Sequence, residues 1–249
     1  MQATTITEVI RILEEIIERA KKDKSTMGYF AALYHKVTVR VKEGIEKHEF
    51  QDNGRMEILD VIFANRYLEA YAQFQKKEKA SSCWEYAFEQ NKKYWPIVLQ
   101  HLLLGINAHI NLDLGIAAEQ TCPGNKINEL QSDFNKINEI LSELATNVEN
   151  DLSKIWPTLK TILRLTGKAD DFFIDFSMEL ARNGAWKFAT ELAAMKPEEK
   201  NAAIKERDVK ITGIAALVTK QGIVAGSIFK IIRLGEKGTI PNKINWLSL

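Results

Sequence analysis

Five polar residues stand at short intervals in one otherwise apolar run. His101, Asn107, His109, Asn111 and Asp113 all lie between Gln100 and Gly115. Imidazole and carboxylate are the groups of general acid–base catalysis and of metal ligation. Buried polar groups cost free energy unless each finds a partner. A run that collects five of them among leucines and isoleucines is therefore a structural network or a site. At about 100° per residue along a helix, His101, Gly105, His109 and Asp113 form one slowly drifting row. His109 and Asp113 are neighbours in that row. Asn107 and Asn111 form a second row, and Leu103, Ile106, Ile110 and Leu114 a third. A helix with polar rows on two faces and apolar residues between them is expected at the centre of a molecule.

Three chemistries fit the row. In the first, His109 and Asp113 are a core hydrogen-bond pair, and His101 and the asparagines are bonded to neighbouring helices. In the second, His109 and Asp113 join ligands from elsewhere around one metal ion. His101 cannot share that ion, because two helical turns, about 12 Å, separate it from His109 on a regular helix. The chain has no Glu-x-x-His pair of a di-iron site and no His-Glu-x-x-His run. In the third, His109 is oriented by Asp113 and acts as a general acid or base in a metal-free pocket. His109-Ile110-Asn111-Leu112-Asp113-Leu114 also alternates polar and apolar, the pattern of a half-buried strand. The flanks read as helix, so helix is expected throughout, with a local irregularity at Gly105 or Gly115.

Other residues could join this row. Arg66 falls on the apolar stripe Leu59, Ile62, Phe63, Ala70, and a buried arginine needs a carboxylate or an anionic ligand. Asp113 and Asp60 are the candidate partners, and a side chain that snorkels to the surface is the alternative. Tyr34 lies on an inward stripe, where its hydroxyl needs an acceptor. Asn65 is nearby on the same segment as Arg66. Arg182, Trp186 and Asp175 could form a cation–π and ion-pair group. His35 and His48 fall outside the inward stripes. The sequence holds no Gly-rich phosphate loop, nucleophile elbow or basic-aromatic nucleic-acid surface.

The elements that must position these residues read as helices. A first runs from about Thr5 to Lys22, with Thr5 and Glu8 at capping-box spacing. A second spans Tyr29 to Lys47. The turn Gln51-Asp52-Asn53-Gly54 precedes a third, Arg55 to Lys77. Ser81 or Ser82 is expected to cap a fourth, which carries Trp84, Phe88 and Tyr94, with Ser82 and Glu85 at capping-box spacing. A fifth starts near Pro96 and contains the polar row. Further helices are expected over Lys126 to Asn147, Asp151 to Leu165, Ala169 to Met195, a short one from Pro197, and Val209 to Leu234. The expectation is an all-α bundle of roughly eight to ten helices around a central buried helix. Residues 1–234 would form a single helical domain, and residues 235–249 an extended C-terminal tail.

Composition agrees with that class. The 249 residues are 45% hydrophobic and 27% charged, ordinary for a globular chain, and the 13 Gly and 5 Pro are few. A net charge of +1 gives no sign of steering toward nucleic acid or a membrane. Ile211 to Ile232 is apolar, but Lys220 and Gln221 interrupt it, which disfavours a membrane span. Cys83 and Cys122 have no metal spacing, and a reducing, cytoplasmic setting is the simpler expectation.

Several blocks resemble the motifs of an uncharacterised bacterial all-helical family, a domain of unknown function. They are Phe30-Ala31-Ala32-Leu33-Tyr34-His35-Lys36-Val37-Thr38, Phe63-Ala64-Asn65-Arg66-Tyr67-Leu68, the run Gln100 to Leu114, and Asp133-Phe134-Asn135-Lys136-Ile137-Asn138. They cover roughly the first 140 residues, and Arg182 to Trp186 is a weaker continuation. The resemblance implies an all-helical protein and brings no activity with it. The expectation is an enzyme acting on a small, mostly apolar molecule by acid–base chemistry, with or without a metal. His109, Asp113 and Arg66 would be its catalytic residues, and His101, Asn107, Asn111, Tyr34 and Asn65 would bind substrate. A non-catalytic binding or scaffold protein, with the polar row as a structural network, is the alternative. The residues assign no cofactor and no oligomeric state.

Overall fold

The computed structural model describes residues 2–157, 178–220 and 222–248. They form eleven α-helices and no β-strand. The first three are α1 (Ile6–Asp23), α2 (Met27–Glu46) and α3 (Asn53–Lys76). Thr5 caps α1 by accepting from the Glu8 N–H at 3.2 Å, and Asp52 caps α3 by accepting from the Arg55 N–H at 2.9 Å. The apolar stripe of α1 is buried at Val9, Leu13 and Ile16, each contributing about 1.5–3 kcal/mol relative to exposure. The alternating Val37 to Val41 segment is helical, inside α2.

The short α4 (Ser82–Glu89) is capped not by the serine side chain that its spacing suggested but from a distance. Asp208 accepts from the Ser82 and Cys83 N–H groups at 2.7 and 2.9 Å. Tyr94 lies beyond the end of α4 and is exposed.

The centre is one continuous run. Helix α5 (Val98–Ala108) passes into a π-helical segment (His109–Leu114) and then into α6 (Gly115–Thr121). From Ile97 to Glu119 every residue except Ile106 is buried. Helices α2, α3 and α4 pack against this run, as do α8 (Met178–Ala194) and α9 (Pro197–Thr219). The expected irregularity is the π segment, immediately before Gly115 rather than at it. The strand-like alternation of His109 to Leu114 belongs to a segment buried on all sides, not to a half-buried strand.

Several boundaries differ from the sequence reading. No break falls near Asn147, because α7 (Gln131–Ile155) runs through it. A 3-10 turn over Gly124–Leu130 precedes α7. The expected short helix from Pro197 continues to Thr219, and the apolar segment that follows divides at Gly222 into α10 (Ile223–Gly235). The expected extended tail is instead helical. Helix α11 (Ile240–Ser248) buries Ile244 and Leu247 against α1, α2 and α7. Local Gly, Pro and Asn punctuation suggested a coil, and this apolar docking overrides it. The expected helices over Asp151 to Leu165 and Ala169 to Met195 fall partly outside the described residues, and Asp175 lies wholly outside them.

Among the described residues no helix is long and apolar enough to cross a membrane.

Candidate acid–base site

Asp113 is the fixed point. It projects from the π segment into the core, and its side chain is 1% exposed. Three donors reach it from three elements. Arg66 Nε of α3 donates to Oδ1 at 2.7 Å. Trp84 Nε1 of α4 donates to Oδ2 at 2.8 Å. His109 Nδ1 lies 3.3 Å from Oδ2. Burial pushes the Asp113 carboxyl up, but Arg66, then His109 and Trp84, outweigh it and hold it below the usual carboxylate range. Asp113 is therefore ionised and can only accept hydrogen bonds. That fixes the proton of His109 on Nδ1 and leaves a lone pair on Nε2.

His109 is enclosed by rings. Phe63 stacks on its face at 3.6 Å between centroids and 8° between planes. Tyr34 meets it edge-on at 4.5 Å, Phe30 does so at 5.8 Å, and Tyr67 lies 6.1 Å away. Burial pushes the imidazole pKa down, overriding the opposing pull of Asp113. The ring is thus held neutral. Its Nε2 is buried without a hydrogen-bond partner, as are the hydroxyls of Tyr34 and Tyr67. Tyr34 makes no close hydrogen bond. Burial and then the charge of Asp60 push its phenol well above its ordinary pKa, although the nearby Thr38 hydroxyl opposes that push. Asp60, one turn before Phe63 on α3, is pushed up to about 7 by burial, with Glu57 adding to the effect. Its Oδ2 also lacks a partner.

The site is closed but near the surface on one side. His109 is 2% exposed, whereas Phe63 is only half-buried. The Arg66 side chain is 27% exposed. Its Nε is held by Asp113, and among the described residues its two terminal nitrogens have no partner.

The other residues singled out in the sequence are dispersed. His101 is separated from His109 by Phe30, which seats against Gly105. A Cβ at Gly105 would come within 2.3 Å of the Phe30 ring. His101 lines a cavity of about 20 Å3 together with Phe30, Trp84, Phe88, Asn91 and Thr26, room for about one water molecule. Its Nε2 is unpartnered, and burial, then Arg233 and Lys243, push its pKa down to about 3. Asn107 donates to the Ile211 carbonyl of α9 at 3.0 Å and accepts from Asn111 at 3.1 Å. Arg207 Nε donates to the Asn111 carbonyl at 2.9 Å. The Asn107 side chain and the Asn111 backbone carbonyl thus bind α9 to the central run. Asn65 bonds the N–H and carbonyl of Ala3, both at 2.8 Å, and fastens the N-terminal segment. His35 lies 3.4 Å from Glu14, and His48 is exposed. Trp186 packs on Phe134 at 4.9 Å.

Trp84, Phe63 and Tyr67 complete the surroundings of His109 and Asp113 without being singled out as site residues in the sequence, and Asp60, weighed there as a partner for Arg66, instead acts on Tyr34. Trp84 had one local signal, an indole N–H on an inward face that needs an acceptor. Phe63 and Tyr67 flank Arg66 in the block Phe63 to Leu68. Among the described residues no three of His, Cys, Asp and Glu gather closely enough to hold a metal ion.

A family model, the family of unknown function DUF5995, matches residues 6–221. No curated protein and no solved structure matches the chain.

Proposed function

The chain belongs to the DUF5995 family, whose function is unknown, and we propose from its own geometry that it is an acid–base enzyme acting on a small, mostly apolar substrate. His109 is the base, through Nε2. Asp113 orients the imidazole and stabilises the imidazolium that forms when Nε2 takes a proton. Arg66, anchored through Nε, offers its terminal nitrogens to a carbonyl or anionic group at the mouth of the site. The tyrosine hydroxyls of Tyr34 and Tyr67 are donors for a substrate oxygen. Asp60 carries a proton up to about pH 7 and is a candidate acid, so two buried carboxyls have pKa values pushed apart.

The observation that carries this reading is the cluster of unpartnered buried atoms: His109 Nε2, Tyr34 Oη, Tyr67 Oη and Asp60 Oδ2. Each unmade buried hydrogen bond costs about 1–3 kcal/mol, and a ligand would recover part of that. The 3.3 Å His109–Asp113 contact is at the long end of a hydrogen bond, as catalytic pairs often are before substrate binds. Substrate reaches Nε2 by displacing the half-buried Phe63 ring. The free thiols Cys83 and Cys122 are buried, in keeping with a reducing, cytoplasmic setting.

The near-complete burial of His109 and Asp113 favours a second reading, a sealed structural network in a scaffold protein. Diethylpyrocarbonate separates the two, because it acylates only a neutral imidazole nitrogen with an accessible lone pair. With the modified residue located by peptide mass spectrometry, Phe63→Ala is expected to raise the His109 modification rate at least about tenfold over the parent. Phe63→Leu should give an intermediate rate. An unmodified His109 in a folded Phe63→Ala variant supports the scaffold and sinks the enzyme.

A further inference from the structure

Helix α10 carries a row that faces away from the molecule. Ser227, Lys230, Ile231 and Leu234 follow i, i+3, i+4, i+7 spacing, and all four are exposed. Ile231 and Leu234 are 62% and 70% exposed, whereas Ile232, on the other side of the helix, is fully buried. The helix is thus anchored by one face and presents aliphatic side chains on the other. Beside it stand Tyr94 and Trp95, 62% and 48% exposed. Both rings are held by cations of α10. Arg233 lies 4.9 Å from the Tyr94 ring and donates through Nε to the Tyr94 carbonyl at 2.7 Å. Lys230 Nζ lies 5.4 Å from the Trp95 ring.

Charge says what such a surface fits. The chain as a whole has a net charge of +1, but this patch carries an excess of cations. Lys92 and Lys93 precede the two aromatic residues, and Lys237 follows α10. Of the acids of this region, Glu89 pairs with Lys92 at 3.9 Å, and Glu236 is turned inward, where it accepts from Val98 N at 2.7 Å and from Arg233 and Lys243 at 2.6 Å each. Exposed aliphatics, a Tyr–Trp pair and lysines with long apolar stems are the components of an interfacial membrane contact. A second copy of the chain on this face would bring like charges together.

We propose that the face formed by α10 and Tyr94–Trp95 docks on an anionic lipid bilayer surface. Ile231 and Leu234 enter the headgroup–acyl boundary, Trp95 and Tyr94 lie at headgroup depth, and Lys230 and its neighbours meet lipid phosphates. The protein lies on the membrane and does not span it.

Co-sedimentation of the full chain with vesicles tests this. Vesicles of phosphatidylcholine with one-third phosphatidylglycerol are expected to pellet the protein at least about tenfold better than phosphatidylcholine alone, and high salt should reduce the difference. Lys230→Gln should weaken binding about fivefold. Ile231→Ser with Leu234→Ser should abolish it while leaving the circular dichroism spectrum and melting temperature unchanged, since both residues are exposed. A blue shift of tryptophan emission on binding should disappear in Trp95→Phe. Equal pelleting with both vesicle types, no pelleting with either, or full binding by the double variant overturns the proposal. So does a concentration-dependent dimer that the double variant loses, which would assign the face to a second copy.

Discussion

Asp60 and Asp113 are both buried aspartates, and their surroundings set them to opposite charge states. Asp113 meets a guanidinium, an indole N–H and an imidazole, so it stays ionised. Asp60 meets burial and the charge of Glu57 and stays protonated up to about pH 7. The unfolded chain releases the Asp60 proton near pH 4. The native state therefore holds a proton that the unfolded state lacks between about pH 4 and 7. Stability from this group is present in full below pH 4 and declines as pH rises to 7. Asp60→Asn removes the liability. Urea denaturation should find the variant more stable than the parent by at least about 1 kcal/mol at pH 8, with the gain vanishing near pH 4. A gain of equal size at both pH values would mean that Asp60 is not held protonated.

At the scale of the element, the π segment and Gly105 arrange the site. A π turn is commonly a local feature of functional sites. Here it keeps His109 and Asp113 on one face, toward α3 and α4, while Asn107 and Asn111 hold α9. Gly105 lets Phe30 approach the helix backbone closely enough to fill the space between His101 and His109. Gly105→Ala places a methyl where the Phe30 ring now sits. The ring must move, and overpacking of this kind costs about 1–3 kcal/mol. Thermal denaturation should show the loss, and the additional change Phe30→Leu should recover part of it. If Gly105→Ala alone is neutral, Phe30 is more mobile than its packing indicates.

At the scale of the whole molecule, the C-terminal helices close the structure over the start of the central run. Helices α10 and α11 lie beyond residues 6–221, the part that matches the family model. Glu236 nonetheless accepts from the first N–H of α5 and from Arg233 and the buried Lys243. Removing one partner of a buried ion pair leaves an uncompensated charge and typically costs about 3–5 kcal/mol. Glu236→Ala should therefore lower stability by that order in urea denaturation. The companion Lys243→Met should recover part of it by removing the stranded charge. If the two losses simply add, Glu236 and Lys243 are not coupled.

The pattern of residues determined by itself what depends on local periodicity. The all-helical class, the cap at Thr5, the central buried helix and the pairing of His109 with Asp113 were legible, because each rests on spacings of three or four residues. Arg66 was marked as needing a carboxylate by its place on an apolar stripe. Tertiary structure decided which groups meet across long separations. Trp84 reaches Asp113 across 29 residues and Arg66 across 47. It also decided the continuity of α7, the helical C-terminus, the allotment of Asn65 to the N-terminal segment and of Asn107 and Asn111 to α9, and the wall of Phe30 between two histidines in one row. The physical reason is the same in each case. Whether a buried polar atom is satisfied, and therefore what charge it carries, depends on neighbours brought by other helices. No local pattern records them.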